Sequence, residues 1–272
     1  MFPKSLNGEK SHRKYKREME VSLSVDFIEN LQKGTQCKKK LKDVKILEFG
    51  CGDGFQIPYL NKIGTVVASD VYRGELGEVA DFEFVECDIT NTPFESSLFD
   101  IIYSNHVIEH VENLEEAFGE LIRIGDNNCI YAFSVPTNIW LLLSLPAQYL
   151  SKIKTFLDRF RRKKAAPSEH ESSGPITNLN VVKYKQSLLD KFLGLLGPSG
   201  HGVTENYFQC YKNFRVTSWY KLFSDSGFSV VETRPLLLYG PSEWPLIPTL
   251  KSKFGLSSSV LFLMVKRASN KA

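Results

Sequence analysis

From residue 44 onward the sequence switches between short apolar runs and helix-like stretches, and this alternation limits the fold more than any other feature. "VKILEFG" is followed by a helical pattern over 55–63, and "TVVASD" by one near 74–79. "FEFVECD" leads to a linker with Pro93, "FDIIYSN" precedes a helix over 112–124, and "NCIYAFSV" closes the series. Short apolar strands separated by helices require crossovers, which yield an α/β fold with a parallel, doubly wound sheet. Later, "FRVTSWYKLFSDSGF" reads as a helix stopped at Gly227. "SVVETRPLLLY" and "SVLFLMVKRAS" read as an antiparallel pair at the sheet edge. Upstream, Val21, Val25, Ile28 and Leu31 fall near helical spacing and predict a helix over 15–33. The expected organisation is a basic helical extension (1–43), a ligand-binding core (44–136), an insertion or lid (137–212) and the C-terminal part of the core sheet (213–272).

The first strand runs into "LEFGCGDG", where Gly50, Gly52 and Gly54 alternate with other residues. Dinucleotide pyrophosphate loops space their glycines as GxGxxG. Here Glu48 and Asp53 would repel a phosphate, whereas a cationic, adenosine-bearing ligand would be welcome. Asp70 ends the second strand, at the place downstream of the glycine turn where a carboxylate can accept from ribose hydroxyls. Asp88 ends the third, where it can accept from an adenine amine. Either aspartate alone also suits a cap or a turn.

"ILEFGCGDG", "VVASD", "VECDI" and "FDIIYSNHVIEHV" together resemble the successive motifs of class I S-adenosylmethionine-dependent methyltransferases. The likeness is to the type 11 small-molecule branch, which includes ubiquinone-biosynthesis O-methyltransferases. It covers residues 44–136 and, through the closing helix and strand pair, 214–268. It implies a Rossmann-like seven-stranded sheet with an antiparallel edge strand, and S-adenosyl-L-methionine as cofactor. By resemblance, Gly50 and Gly52 let the backbone approach the methionine part, with Cys51 between them. Glu48 supports the ammonium group, although many members carry Asp there. Asp70, beside Val71, holds the ribose, and Asp88, beside Ile89, the adenine. Asn105 lines the methionine end.

Methyl transfer from a sulfonium needs positioning, and a base only where the nucleophile must lose a proton. The residues after strand four face the methyl in this fold, and here they read "SNHVIEH". The Asp/Asn-Pro-Pro-Tyr/Phe signature of adenine N-methylation and the Pro-Cys pair of RNA cytosine C5 methylation are both absent from the sequence. His106 is the candidate base for an acceptor hydroxyl. It would share a face with His110 if residues 106–112 are helical. His201, in "GPSGHGVTENY", is a second catalytic candidate, reaching the site from the lid. Each of these also suits a packing or solvent histidine. No carboxylate–histidine cluster shows ligand spacing, so no metal is expected.

Charge is unevenly distributed along the chain. Residues 46–150 hold 3 basic and 17 acidic residues, whereas 151–164 hold seven bases and one acid. That basic stretch follows "IWLLLSLPAQYL", too short to span a bilayer. Tyr149, Ile153, Phe156 and Phe160 recur there at helical spacing. Segment 139–164 therefore reads either as an interfacial helix on anionic lipid or as a lid helix with solvated charges. Its basic side lacks interleaved aromatics, which argues against nucleic acid. The five cysteines are widely spaced and odd in number, which argues against a disulfide framework. The opening stretch, "MFPKSLNGEKSHRKYKREME", contains no apolar signal segment. The expectation is a cytoplasmic enzyme, peripheral on the inner membrane face, acting on a hydroxyl of a small apolar or lipid-linked acceptor. A non-catalytic cofactor-binding module and a methyltransferase of soluble sugars or other metabolites are the alternatives.

Overall fold

The computed structural model describes residues 6–34, 43–72, 82–164, 199–240, 250–252 and 255–268. The elements are α1 (Leu6–Gly34), β1 (Lys45–Phe49), α2 (Ile57–Leu60), β2 (Thr65–Asp70), β3 (Glu83–Glu86), β4 (Phe99–Asn105), α3 (Leu114–Ile124), β5 (Gly125–Pro136) and α4 (Asn138–Lys164). They continue with β6 (Ser199–His201), β7 (Thr204–Asn206), α5 (Tyr207–Asn213), α6 (Val216–Asp225), β8 (Phe228–Pro235), β9 (Leu237–Leu238), β10 (Leu250–Lys251) and β11 (Ser259–Lys266). The helix expected near 74–79 lies outside the described residues.

Seven strands form one sheet in the order β3-β2-β1-β4-β5-β11-β8. β1 pairs in parallel with β2 and β4, β2 with β3, and β4 with β5. β11 enters antiparallel between β5 and β8. The expected edge pair is present, with β11 inside the sheet and β8 at its margin. The sheet is covered on both faces, which is why its central strands read as unbroken apolar runs. On one face Ile46, Ala68, Ile101, Ala132 and Leu263 pack with Val21, Val25 and Ile28 of α1. The N-terminal helix is thus part of the core. On the other face aromatic rings dominate: Phe49 meets Phe133 edge-on at 5.6 Å, Phe118 meets Phe228 at 5.5 Å, and Phe223 meets Phe262 at 5.1 Å.

One helix is shorter than the sequence suggests, and the condition on which His106 and His110 would share a face is not met. The pattern over 55–63 yields only Ile57–Leu60, followed by turns up to Ile63. No helix forms over 106–112. His106 adopts a left-handed φ of 58°, and only a 3-10 turn, Ile108–His110, follows it. The His106 N–H instead bonds Ser134 O at 2.9 Å, extending the sheet pairing one residue past β4. His106 and His110 therefore do not share a helix face.

Chain packing divides the molecule into residues 1–143 with 200–272, and residues 144–199. All the side chains that build the site below belong to the first unit. Among the described residues no helix is long and apolar enough to cross a membrane.

Candidate active site

The turn after β1 is built from left-handed glycines, with φ of 68° at Gly50, 53° at Gly52 and 73° at Gly54. L side chains rarely adopt these angles. A Cβ on Gly50 would also run into the Val107 methyls, so this position admits glycine alone without rearrangement. At Gly52 a Cβ would meet nothing within 4 Å, so the backbone there borders open space. Cys51 is buried, and its N–H bonds Ser69 O at 3.1 Å.

Asp70 fastens this loop. One carboxylate oxygen accepts from Gly52 N at 2.9 Å and the other from Val71 N at 2.8 Å. The side chain of Val71 is exposed. Asp88 is near the surface, and its Oδ1 accepts from both Thr90 N and Thr90 Oγ1 at 2.8 Å. These bonds hold the Asp88 carboxyl below its usual range. Half-buried Ile89 lies within the same turn.

Glu48 is fully buried, and one oxygen accepts from Gln56 Nε2 at 2.6 Å. Its other oxygen has no partner among the described residues. Burial pushes the Glu48 carboxyl up to about 8, against the Gln56 bond and with Asp70 adding to the rise. An ammonium donor would satisfy the orphaned oxygen and reverse that penalty. The open space at Gly52 and the acceptor at Glu48 therefore fit the methionine end of a cationic sulfonium cofactor.

Gln56 carries the network onward. Its Oε1 accepts from Asn105 Nδ2 at 2.5 Å, and Asn105 Oδ1 accepts from Arg17 Nη1 at 3.1 Å. Arg17 also bonds Glu20 Oε2 at 3.1 Å. Glu20, fully buried on α1, is the hub of the far side. It accepts from Tyr239 OH at 3.0 Å and from Ser259 Oγ, and it lies 3.4 Å from His106 Nε2. Burial opposes the Glu20 charge, but His106, Arg17 and Ser259 outweigh it and hold the carboxyl far below its usual range.

His106 stands between two carboxylates. Its Nδ1 is 3.3 Å from Glu109 Oε1, and its Nε2 is 3.2 Å from Tyr239 OH as well as near Glu20. Burial and Arg17 press its pKa down, while Glu20 and Glu109 overcome them and raise it. The structure brings Asn105 and His106 together with residues the sequence reading missed: Arg17, Glu20, Gln56, Glu109, Tyr239 and Ser259. Arg17 and Glu20 sit in a helix that reads as a basic extension, and Tyr239 lies far downstream of His106 in the chain; no local pattern links them. His201 approaches from the β6–β7 hairpin, near enough for His110, Glu109, His106 and Arg17 to act on its charge. Its ring packs on His110 at 5.0 Å, on Trp140 at 4.7 Å and on Phe214 at 6.3 Å. The ligand atoms of Glu109, His110 and His201 lie within 4.8 Å of one another, a carboxylate–histidine cluster that sequence spacing does not reveal.

Comparison with known proteins bears on this geometry. The methyltransferase domain family Methyltransf_11 matches residues 47–133, from β1 through β5. The malonyl-[acyl-carrier protein] O-methyltransferase of Pectobacterium atrosepticum is 33% identical over 96 residues; the match spans 34% of this chain and 38% of that protein. A solved chain from the complex of the Haloferax volcanii Trm112 methyltransferase activator with a protein designated a methyltransferase aligns with a TM-score of 0.51. Its identity is 10%, over 97% of this chain and 95% of that one, so the likeness concerns the fold. A SAM-dependent methyltransferase from Aquifex aeolicus aligns at 13% identity and a TM-score of 0.49, over 94% of this chain and 98% of that one. Over residues 47–133 the chain is similar to S-adenosylmethionine-dependent methyltransferases, and that likeness implies S-adenosylmethionine as cosubstrate.

Proposed function

We propose that this chain transfers a methyl group to a hydroxyl oxygen of a small apolar or lipid-linked acceptor, with His106 taking the hydroxyl proton. The observation that carries this reading is the seat of His106. It follows β4 in a left-handed turn, its side chain is only 9% exposed, and both ring nitrogens face oxygen atoms. Glu109 beside Nδ1 orients the ring. The Tyr239 hydroxyl, 3.2 Å from Nε2, stands at the distance an acceptor hydroxyl would keep when giving up its proton. When bound, S-adenosylmethionine supplies an electrophilic methyl on a sulfonium. Glu48 and the Gly50–Gly52 backbone hold the methionine end, while Asp70 and Asp88 present carboxylates for the ribose and the adenine amine. Gln56 and Asn105 link the cofactor side to the acceptor side. The oxygen specificity of the Pectobacterium relative supports an oxygen acceptor here.

The lipid-linked part of the reading rests on α4, where Tyr149, Leu150 and Ile153 are 43%, 41% and 54% exposed. Lys152 and Lys154 lie in the same turns, and the sequence continues with five more bases to Lys164. Apolar side chains beside clustered bases suit an anionic membrane face. Phe156 and Phe160, expected to extend the apolar stripe, lie outside the residues whose side chains are described.

The test is mass spectrometry of a cell extract incubated with the protein and isotope-labelled S-adenosylmethionine. A labelled methyl ether or ester in the lipid fraction is expected. Label on a soluble sugar or metabolite would move the acceptor to the aqueous phase. Cofactor binding without any labelled product would leave a non-catalytic module.

A further inference from the structure

We propose that Glu109, His110 and His201 bind a divalent transition-metal ion of the zinc type, a function beyond methyl transfer itself. Two imidazoles and one carboxylate are a donor set suited to zinc, and three protein ligands leave a fourth position for water or a substrate oxygen. The candidate ligand atoms lie within 4.8 Å of one another, close enough to surround one ion after small side-chain movements.

The Glu109 carboxylate is the second observation. The residue is 5% exposed, and neither oxygen receives a well-aligned hydrogen bond among the described residues. Its contact is the ion pair with His106 Nδ1 through Oε1 at 3.3 Å, which leaves lone pairs on both oxygens. The His106 contact meets part of the Glu109 charge, and the acceptor capacity left on both oxygens is what a second cation would take up.

The backbone that delivers the third ligand is held in place. The β6–β7 hairpin sits on the turn that carries Glu109 and His110, and Val203 N–H bonds Glu109 O at 3.2 Å. Gly202, at φ 67°, passes so close to the Glu109 carbonyl that a Cβ would not fit. His201 N–H bonds Cys210 Sγ at 3.1 Å, and the thiol lies 3.2 Å from both His201 O and Thr204 O. With Trp140 against one side of His201, the imidazole is confined next to His110. Through Glu109 the ion would lie one residue contact from His106, on the acceptor side of the site.

The experiment uses the full chain, stripped with a chelator and titrated with Zn²⁺ and, separately, with Co²⁺. One equivalent should bind, Co²⁺ should show the intensified visible absorption of a tetrahedral site, and the thermal midpoint should rise. His110→Ala and His201→Ala should each weaken binding at least ~10-fold while keeping the native circular dichroism. His110 is exposed, so its replacement leaves the core intact even if His201→Ala does not fold. Absence of stoichiometric binding overturns the proposal. So does wild-type affinity in His110→Ala, or a thiolate-to-Co²⁺ charge-transfer band, which would place the ion on cysteine.

Discussion

The cofactor side and the acceptor side of the site are assembled in different ways. Glu48, Gly50, Gly52, Gln56 and Asp70 come from one strand–turn–helix–strand unit, and Asp70 closes it by bonding the Gly52 amide. Arg17, Glu20, His106, Tyr239 and Ser259 come from the N-terminal helix, the turn after β4, the residue following β9 and the start of β11. The first arrangement depends mainly on backbone conformation within that unit. The second depends on the long-range docking of α1 and fails as a unit. The family match over 47–133 accordingly leaves out Arg17, Glu20, Tyr239 and Ser259.

The largest expected effect tests the acceptor side. His106→Ala should lower turnover by ~10²–10⁴ on the acceptor identified by isotope labelling, with cofactor affinity little changed. Unchanged turnover would make His106 a packing residue. Glu20→Ala leaves the Tyr239, Ser259, Arg17 and His106 groups without their common acceptor. It should cost roughly 3–5 kcal/mol in urea unfolding, as breaking a buried charge network does. A loss under about 1 kcal/mol would mean that α1 is not integral to the core.

On the cofactor side, Gly50→Ala combines a left-handed φ with a collision against Val107, and the strain alone is about 1–3 kcal/mol. Calorimetry should find cofactor binding lost or severely weakened in protein that still unfolds cooperatively. Asp70→Ala should weaken binding about tenfold or more, since a charge-assisted hydrogen bond contributes about 1.5–3 kcal/mol. Equal affinity would remove Asp70 from the cofactor contacts.

The smallest effect is a pH dependence. In the free protein the Glu48 carboxyl titrates at about 8, whereas the unfolded chain loses that proton near 4.5. Between those values the native state binds the extra proton, so Glu48 lowers stability progressively as pH rises from about 4.5 to about 8. An ammonium beside Glu48 favours the carboxylate, so cofactor binding near pH 6 should release a proton from this group. Calorimetry in buffers of different ionisation enthalpy would detect it, and Glu48→Gln should abolish that release. Equal proton release in both proteins would detach Glu48 from the ammonium.

The alternation over 44–136 specified the parallel strands and helices because burial on both sheet faces demands apolar runs, visible in a single chain segment. The glycine turn and Asp70 were legible for a related reason, since their partners lie close by in the chain, within one strand–turn–helix–strand unit. Whether His106 and His110 share a face was open in the sequence, because it depends on the left-handed turn at His106 and its bond to Ser134, a constraint imposed by β5. Val21, Val25 and Ile28 announced an apolar stripe on α1, but nothing near Glu20 marked it as the shared acceptor of Tyr239, Ser259 and His106. The grouping of His201 with His110 and Glu109 depends on a hairpin far downstream of the turn it covers. Local sequence thus determined the strands and the glycine turn, where neighbouring residues satisfy one another. The tertiary structure alone decided which buried charges meet, because a buried carboxylate is tolerated only where distant donors converge on it.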